Sequence, residues 1–517
     1  MTAAIALPAS AASRKDTPGL TLTLFVLLAA ITAIPILSVD VPPLGDFPNH
    51  LARMYILHDG GQSPFLSRYY QIQWAILPNL AMDLIVPPLL GFLPLFAAGK
   101  LFLGLTLLID ITGMIALHRS LFGRVSPWPL LGFLLLYNQV VLVGFVNFLF
   151  GVGLAFWTAA FWALLRPRRP ALAVPLTAIL AVAVFFCHME ALMFLGILLF
   201  GIEAVGATKT NFLGRALMLA AVFVPAGLFF LNWHTVSQGN LGFRAPWLKL
   251  VHLFWVFDNY HPAFDLACVF GYIAFFAASF ASGQVRAAGP LKYWLGISIA
   301  AFVASPDTVF GGASADIRLP LFIAMLPVVG LEPAAKAGSR FLLIAGLGAA
   351  LVFGIRTSLL EQVWINAKTL YAGDIAALNM LPRGAKLACS YDWNPHVDPH
   401  ADIPQMHMPM LAVPLREAFV PTIFAYQGLQ PLKITKEFAD LPALAPTEIF
   451  WAAFVGDDKS AQRRAAGALP WYDYIVFYDK KPITVRPTSC LSFVQGVPSF
   501  QLYKINKTPG ACTADRL

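Results

Sequence analysis

Charge is what this sequence has least of. Asp, Glu, Lys and Arg make up 12% of its 517 residues, against roughly 25% in an ordinary soluble domain. That scarcity excludes a chain solvated mainly by water. Cysteine is scarce too: there are five, with no CxxC pair, so zinc ribbons and dithiol redox centres are out. There is no Walker A run, no dinucleotide-binding fingerprint and no HExxH, which removes the motif-bearing nucleotide, nicotinamide and zincin chemistries. No internal repeat or low-complexity tract is visible. The net charge of +8 sits largely in short loops rather than on one polar face, so nucleic acid is not a partner.

What is abundant is apolar sequence. Hydrophobic residues reach 58% and the mean hydropathy is +0.70. Repeated runs of about 17 to 20 apolar residues are long enough to cross about 30 Å of hydrocarbon as helices. Lys and Arg in the short loops orient them. Arg14 with Lys15, His118-Arg119-Ser120-Leu121-Phe122-Gly123-Arg124 and Arg166-Pro167-Arg168-Arg169 mark the cytoplasmic side, continued by Lys209 with Arg215, Arg286 with Lys292, and Lys336 with Arg340. Spans near 20–38, 98–117, 127–143, 146–165, 171–187, 190–207, 215–231, 263–281, 291–304, 319–335 and 340–356 satisfy all of these. The expectation is a polytopic α-helical membrane protein of about eleven spans in a bacterial-type inner membrane, its N-terminus cytoplasmic. Residues 1–20 carry only the charges of Arg14, Lys15 and Asp16 and are followed by an apolar span without a small-residue cleavage site, which reads as an uncleaved anchor. Residues 74–97 are apolar but broken by Pro78, Pro87, Pro88 and Pro94. They read as a re-entrant or surface-lying helix pair.

Beyond Arg356 the pattern changes. Alternating polarity at 386–391, 474–478 and 500–505 predicts strands, and residues 361–381 and 460–468 carry helical patterns. Residues 1–356 thus form the membrane core, with an outer loop at 39–97, and residues 357–517 a periplasmic α/β domain joined by a short linker. Cys187 and Cys268 lie in apolar segments and read as buried thiols. Of Cys389, Cys490 and Cys512, the pair Cys490 and Cys512 is nearest in sequence for a disulfide.

Polar residues collect in the non-cytoplasmic stretches 39–73, 187–190, 232–265 and 305–319, and polar groups gathered on one side of a membrane are a site by default. The first of these contains Gly45-Asp46-Phe47-Pro48-Asn49-His50-Leu51-Ala52-Arg53. Asp46 suits an N-cap and Pro48 a first turn, so a helix starts here. Asp46, His50 and Arg53 then share one face at i, i+4 and i+7. Cys187-His188-Met189-Glu190 puts two titratable groups at a turn, and Asp83 is an acid in an apolar run. Arg318, with Asp307 and Asp316 nearby, stands at the mouth of a span, where a snorkelling or salt-bridged arginine is the other reading.

On these residues the chain resembles the integral-membrane glycosyltransferases of the GT-C superfamily, including protein O-mannosyltransferases and aminoarabinose transferases. Those enzymes carry an acidic residue, usually of an acidic pair, in the first outer loop. Asp46 takes that place, and Phe47 stands where the second acid would be. The likeness extends to a long proline-rich outer loop, the Leu121-Phe122-Gly123-Arg124 turn, a late core segment Asp316-Ile317-Arg318-Leu319-Pro320, and a soluble domain at the end. It implies transfer of a sugar from a polyprenyl-phosphate donor to a glycan, lipid or protein hydroxyl. Asp46 would be the base, or else only a helix cap. Arg318 would hold the lipid phosphate with help from Arg53; His50, His188 and Glu190 would line the cavity, and Asp83 would be the reserve acid. Arg244 and Lys100 are lesser phosphate candidates. The leaving group is already a phosphate, so one base suffices, unlike the two carboxylates of most glycosidases. No cofactor is required; a divalent metal is compatible with the scheme but not predicted. His396, Asp398, His400 and Asp402, followed by His407, could gather a metal if extended, although Pro395 and Pro399 favour an irregular loop. The rival classes are a transporter or lipid flippase, which would more often show two similar halves, and a non-catalytic assembly protein.

Overall fold

An apolar run in hydrocarbon has only its own amides and carbonyls to bond with, and a helix satisfies them all. In the computed structural model, which describes residues 17–234, 241–243, 246–309, 314–392, 405–444 and 446–517, most of the expected spans obey this rule. Seven helices among the described residues are long and apolar enough to cross a membrane: Pro18–Ser38, Leu95–Phe122, Val146–Leu165, Pro170–Cys187, Phe212–Leu231, Pro262–Ala281 and Ser339–Leu378. Met189–Val205, Leu291–Ala304 and Arg318–Gly330 are shorter apolar helices. In the first helix the hydroxyls of Thr21 and Thr32 bond back to the carbonyls of Thr17 and Leu28, each at 2.8 Å. Those two hydroxyls are thereby satisfied within the helix, whose outer face exposes Leu22, Val26 and Leu27. This is a multi-pass membrane protein.

Two segments differ from expectation. Residues 127–143 are not one helix: Trp128–Leu135 is a 3-10 helix and Gln139–Val143 a separate α-helix. Pro127 and Pro129 have no amide to give a ladder. Asn138 then turns the chain with extended backbone, its Oδ1 accepting from Val140 and Val141, and Gly144 ends the second helix at φ 99°. The broken backbone is tolerated because Trp128, Leu130, Phe133 and Leu135 are buried. The other difference is at 340–381, where a span, a linker and a second helix were expected. One helix of 40 residues, Ser339–Leu378, runs through instead. Arg356, expected to close the core, is buried, and its guanidinium donates to the carbonyls of Phe257 and Tyr137, both at 2.6 Å, and to Asp265 at 2.9 Å. No proline lies between Arg356 and Leu378, and the one glycine there, Gly373, comes only in the last two turns, so nothing stops the helix where the linker was expected.

Residues 74–97 contain the nine-residue helix Ala81–Leu89. At about 1.5 Å per residue it is far too short to cross. The following helix begins at Leu95 and belongs to the long helix ending at Phe122.

Contacts divide the chain into two units. One comprises residues 1–36, 76–81 and 103–361; the other comprises 37–75, 82–102 and 362–517. The second unit therefore takes in the loop that carries Asp46 as well as the C-terminal residues. Its sheet holds Leu387–Ser390, Tyr474–Tyr478, Phe500–Ile505 and Leu491–Val497 in that spatial order. The first pair is parallel and the other two antiparallel. Three of these strands are the ones that alternation predicted. A two-stranded pair, Tyr70–Ile72 with Leu432–Ile434, joins the Asp46-bearing segment to the C-terminal residues of the same unit. Cys490 and Cys512 are bonded. Cys187, Cys268 and Cys389 are free and buried; Cys389, read as one of the more polar three, is instead an inward residue of the first strand.

Candidate functional site

Two groups of buried polar side chains stand out, one in each unit. In the second unit the helix Phe47–Asp59 starts directly after Asp46, as the Asp-Phe-Pro pattern predicted. Asp46 occupies the cap position but its side chain makes no capping bond, and its backbone is αR with φ −79° and ψ −11°. A capping carboxylate reaches the amides two or three residues on. Pro48 has none to offer, and the carboxylate makes no bond to the Asn49 amide. The carboxylate is left for other work.

Its neighbours follow along the helix. Asp46 Oδ1 lies 3.5 Å from His407 Nε2. His50, one turn on, is buried, and its ring meets Phe424 edge to face at 5.7 Å between centroids. Burial first, then the charge of Arg53, push the His50 imidazole down to about 4, against the raising influence of Asp46 and Asp83. It is a neutral ring at neutral pH. Arg53, fully buried, makes a two-pronged pair with Asp83: Nε to Oδ1 at 2.7 Å and Nη2 to Oδ2 at 3.0 Å. The expensive acid in the apolar run is thereby neutralised. Lys100 donates to the Val39 carbonyl at 2.9 Å.

Asn49 was not singled out by its spacing, yet it ties the cluster together. Its Oδ1 accepts from the Phe424 amide at 2.7 Å, and its Nδ2 donates to the Thr422 carbonyl at 3.0 Å while facing His407 Nδ1 at 3.3 Å. His407 could be noticed in the sequence only as the end of a His- and Asp-rich run. His396, Asp398, His400 and Asp402 lie outside the described residues, as does Arg244.

In the first unit the helix Pro170–Cys187 stops at His188, whose extended backbone, φ −169°, breaks it from Met189–Val205. His188 Nδ1 accepts the Glu190 amide at 3.2 Å and so caps the second helix with its own ring. Glu190 Oε2 takes Arg318 Nη1 at 2.8 Å. The Arg318 guanidinium also sits over Phe145, 4.2 Å from the ring centroid, and near Phe148 at 5.5 Å. Its Nε has no partner among the described residues. The carboxylate paired with Arg318 is thus Glu190 rather than Asp307 or Asp316. Asp316, wholly buried, stands 3.2 Å from His252, a pair that nothing in the sequence pattern announced.

Two further buried acids are each held between two arginines of the basic turns. Glu203 binds Arg166 at 2.8 Å and Arg215 at 2.6 Å; Glu332 binds Arg124 at 2.6 Å and also Arg286. These are structural clamps. Two apolar grooves of about 620 and 680 Å³ run beside the helix Ser339–Leu378, the first between it and Pro18–Ser38, the second between it and Pro262–Ala281. Neither is lined by Arg318, Glu190 or His188. Both are apolar seams between helices.

No protein-family model matches the chain, and no curated protein matches it. Among solved structures it is similar to the arabinofuranosyltransferase AftD from mycobacteria, a single-particle cryo-EM structure, with 12% identity and a TM-score of 0.46 over 96% of this chain. The match covers 41% of that enzyme, so the chain spans about two fifths of its length.

Proposed function

We propose that this chain is a membrane glycosyltransferase that moves a sugar from a polyprenyl-phosphate donor to an acceptor hydroxyl on the outer, periplasmic face. The observation that carries the reading is the state of Asp46. It is an acid at a helix start that does no capping, remains 20% exposed and is approached by an imidazole. Asp83, the reserve acid, is buried and saturated by Arg53. Asp46 therefore serves as the base. It accepts the acceptor's hydroxyl proton as that oxygen bonds to the anomeric carbon, and the bond from that carbon to the phosphate oxygen breaks with its electron pair leaving on the phosphate. His50, neutral and fixed, lines this cluster, and Arg53 serves by holding Asp83.

Arg318 is assigned by itself to lipid-phosphate capture. Glu190 and the two phenylalanines fix its plane while Nε, buried, has no partner among the described residues, which leaves a donor for a second oxyanion. His188 supports it by ending the helix at Glu190. The Cys490 to Cys512 disulfide favours an oxidising compartment for the C-terminal residues. Partners are then the prenyl-phosphate sugar, an acceptor glycan, lipid or protein, and membrane lipid.

The test is transfer by the full chain in detergent from a panel of prenyl-phosphate pentoses and hexoses to octyl glycosides. Asp46→Asn should lower it about 100-fold or more, the usual contribution of a positioned base. Retained transfer in Asp46→Asn would remove the base role. Movement of prenyl phosphate across vesicles with no transfer to any acceptor would favour the flippase reading instead.

A further inference from the structure

The hydrogen bonds around Asn49 decide the protonation pattern of His407. An amide side chain has one acceptor and two N–H donors. Asn49 Oδ1 is occupied by the Phe424 amide, a donor that cannot be anything else, and one Nδ2 hydrogen goes to the Thr422 carbonyl, which can only accept. The amide is therefore fixed in one orientation, because a flip would set like against like at both contacts. The second Nδ2 hydrogen points at His407 Nδ1, 3.3 Å away. That ring nitrogen must accept, so it carries no proton, and the proton of the neutral ring sits on Nε2. Nε2 faces Asp46 Oδ1. Both Asn49 and His407 are buried, and Phe424 flanks the His407 ring at 5.0 Å.

We infer that His407 is the positioning residue for Asp46: as a neutral imidazole locked by Asn49 in the Nε2–H form, it donates to Oδ1 and leaves Oδ2 to receive the acceptor's proton. The inference rests on the reading of Asp46 as the base. It adds a role in orienting the carboxylate to a residue over three hundred positions away. A donor on one oxygen holds the carboxylate plane without supplying a proton that the reaction would have to remove first. At 3.5 Å the contact is longer than an ordinary hydrogen bond, and catalytic hydrogen bonds tighten in the complex with substrate. Among the described residues, Arg53 and Asp83 near the pair bind one another, and His50 is neutral.

Two measurements on the full chain test this. In ¹⁵N-histidine NMR at pH 7, the signal absent from His407→Gln identifies His407 and should show the neutral Nε2–H form; an Nδ1–H form or an imidazolium overturns the inference. In the transfer assay on the same panel of prenyl-phosphate sugars, His407→Phe keeps an aromatic ring but no donor, and kcat should fall about 10-fold or more with KM for the donor little changed. His407→Gln restores an N–H near the place of Nε2 and should recover most of that loss. Equal losses in the two variants, with melting temperatures like wild type, overturn the inference, as does a His407→Phe enzyme with wild-type kcat. An inactive Asp46→Asn beside an unaffected His407→Phe sinks this inference alone. An active Asp46→Asn sinks the base and the positioning role together, whatever the tautomer.

Discussion

Asp46, Asp83 and Glu190 are three acids within apolar surroundings, and their partners give them three different fates. Asp83 is paired with Arg53, Glu190 is paired with Arg318, and Asp46 has the His407 ring at 3.5 Å. For the phosphate role of Arg318, binding of farnesyl phosphate by the full chain is the direct measurement. Arg318→Lys should weaken it about 10-fold, since an ammonium cannot reproduce a planar fork stacked on Phe145, while Arg68→Lys, an exposed pair with Glu437, should not. Glu190→Gln removes a negative charge beside the phosphate and should not weaken binding. Equal losses in Arg318→Lys and Arg68→Lys would take Arg318 out of the role. His50 makes a separate prediction. Its ring resists protonation until about pH 4 in the folded chain, whereas the unfolded chain takes the proton near pH 6.5. A group held below its ordinary value contributes stability that is present above pH 6.5 and lost as pH falls toward 4. The contribution is up to about 3 kcal/mol. Melting in detergent at pH 7 and pH 5 should therefore fall further for wild type than for His50→Gln, and parallel falls would show that His50 does not titrate as described.

Elements in this chain end where a side chain intervenes. His188 ends one helix and starts the next with its own ring, and Asn138 does the same between the 3-10 helix and Gln139–Val143. Asn138 is buried and fully used: Oδ1 accepts at 2.8 and 3.2 Å, and Nδ2 donates to the Leu135 carbonyl at 2.6 Å and the Leu136 carbonyl at 3.3 Å. Asn138→Ala should lower thermal stability by about 1 to 2 kcal/mol, the cost of a lost cap with its amides left bare. Asn138→Asp keeps the acceptor and loses the donors, so it should lie between wild type and Ala. A wild-type melt for Asn138→Ala would mean that the break at 138 is made by packing instead. The helix Ser339–Leu378 is the opposite case: no side chain intervenes, and it passes through the place where a linker was expected.

At the scale of the whole molecule the open question is sidedness. The basic turns that read as cytoplasmic are clamped on Glu203 and Glu332, so part of their charge is neutralised within the protein. Arg168 and Arg169 remain outside those clamps to bias insertion. An alkaline phosphatase reporter, active only outside, should be active when fused after Leu517 and inactive when the chain is cut and fused after Arg169. Activity at Arg169 would invert the model of sidedness and move the proposed site to the other face.

Composition and run length by themselves determined that this is a multi-pass membrane protein, because the cost of a bare amide in hydrocarbon leaves an apolar run little choice but a helix. The short runs at 386–391, 474–478 and 500–505 located three strands of the C-terminal sheet, although the first two are buried on both faces and only Phe500–Ile505 is half-buried. The spacing of Asp46, Pro48 and His50 determined where a helix starts. Tertiary structure alone decided the partners: Asn49 with His407 across 358 positions, Arg318 with Glu190 across 128, and Arg53 with Asp83 across 30. No local periodicity encodes such pairings, because a buried charge accepts any complementary group that the fold brings within about 3 Å. For the same reason Asp46 looked like a cap in the sequence. Whether it caps depends on the Asp46 backbone angles and on the amide that Pro48 lacks, and the histidine beside it is one that only the folded chain brings there.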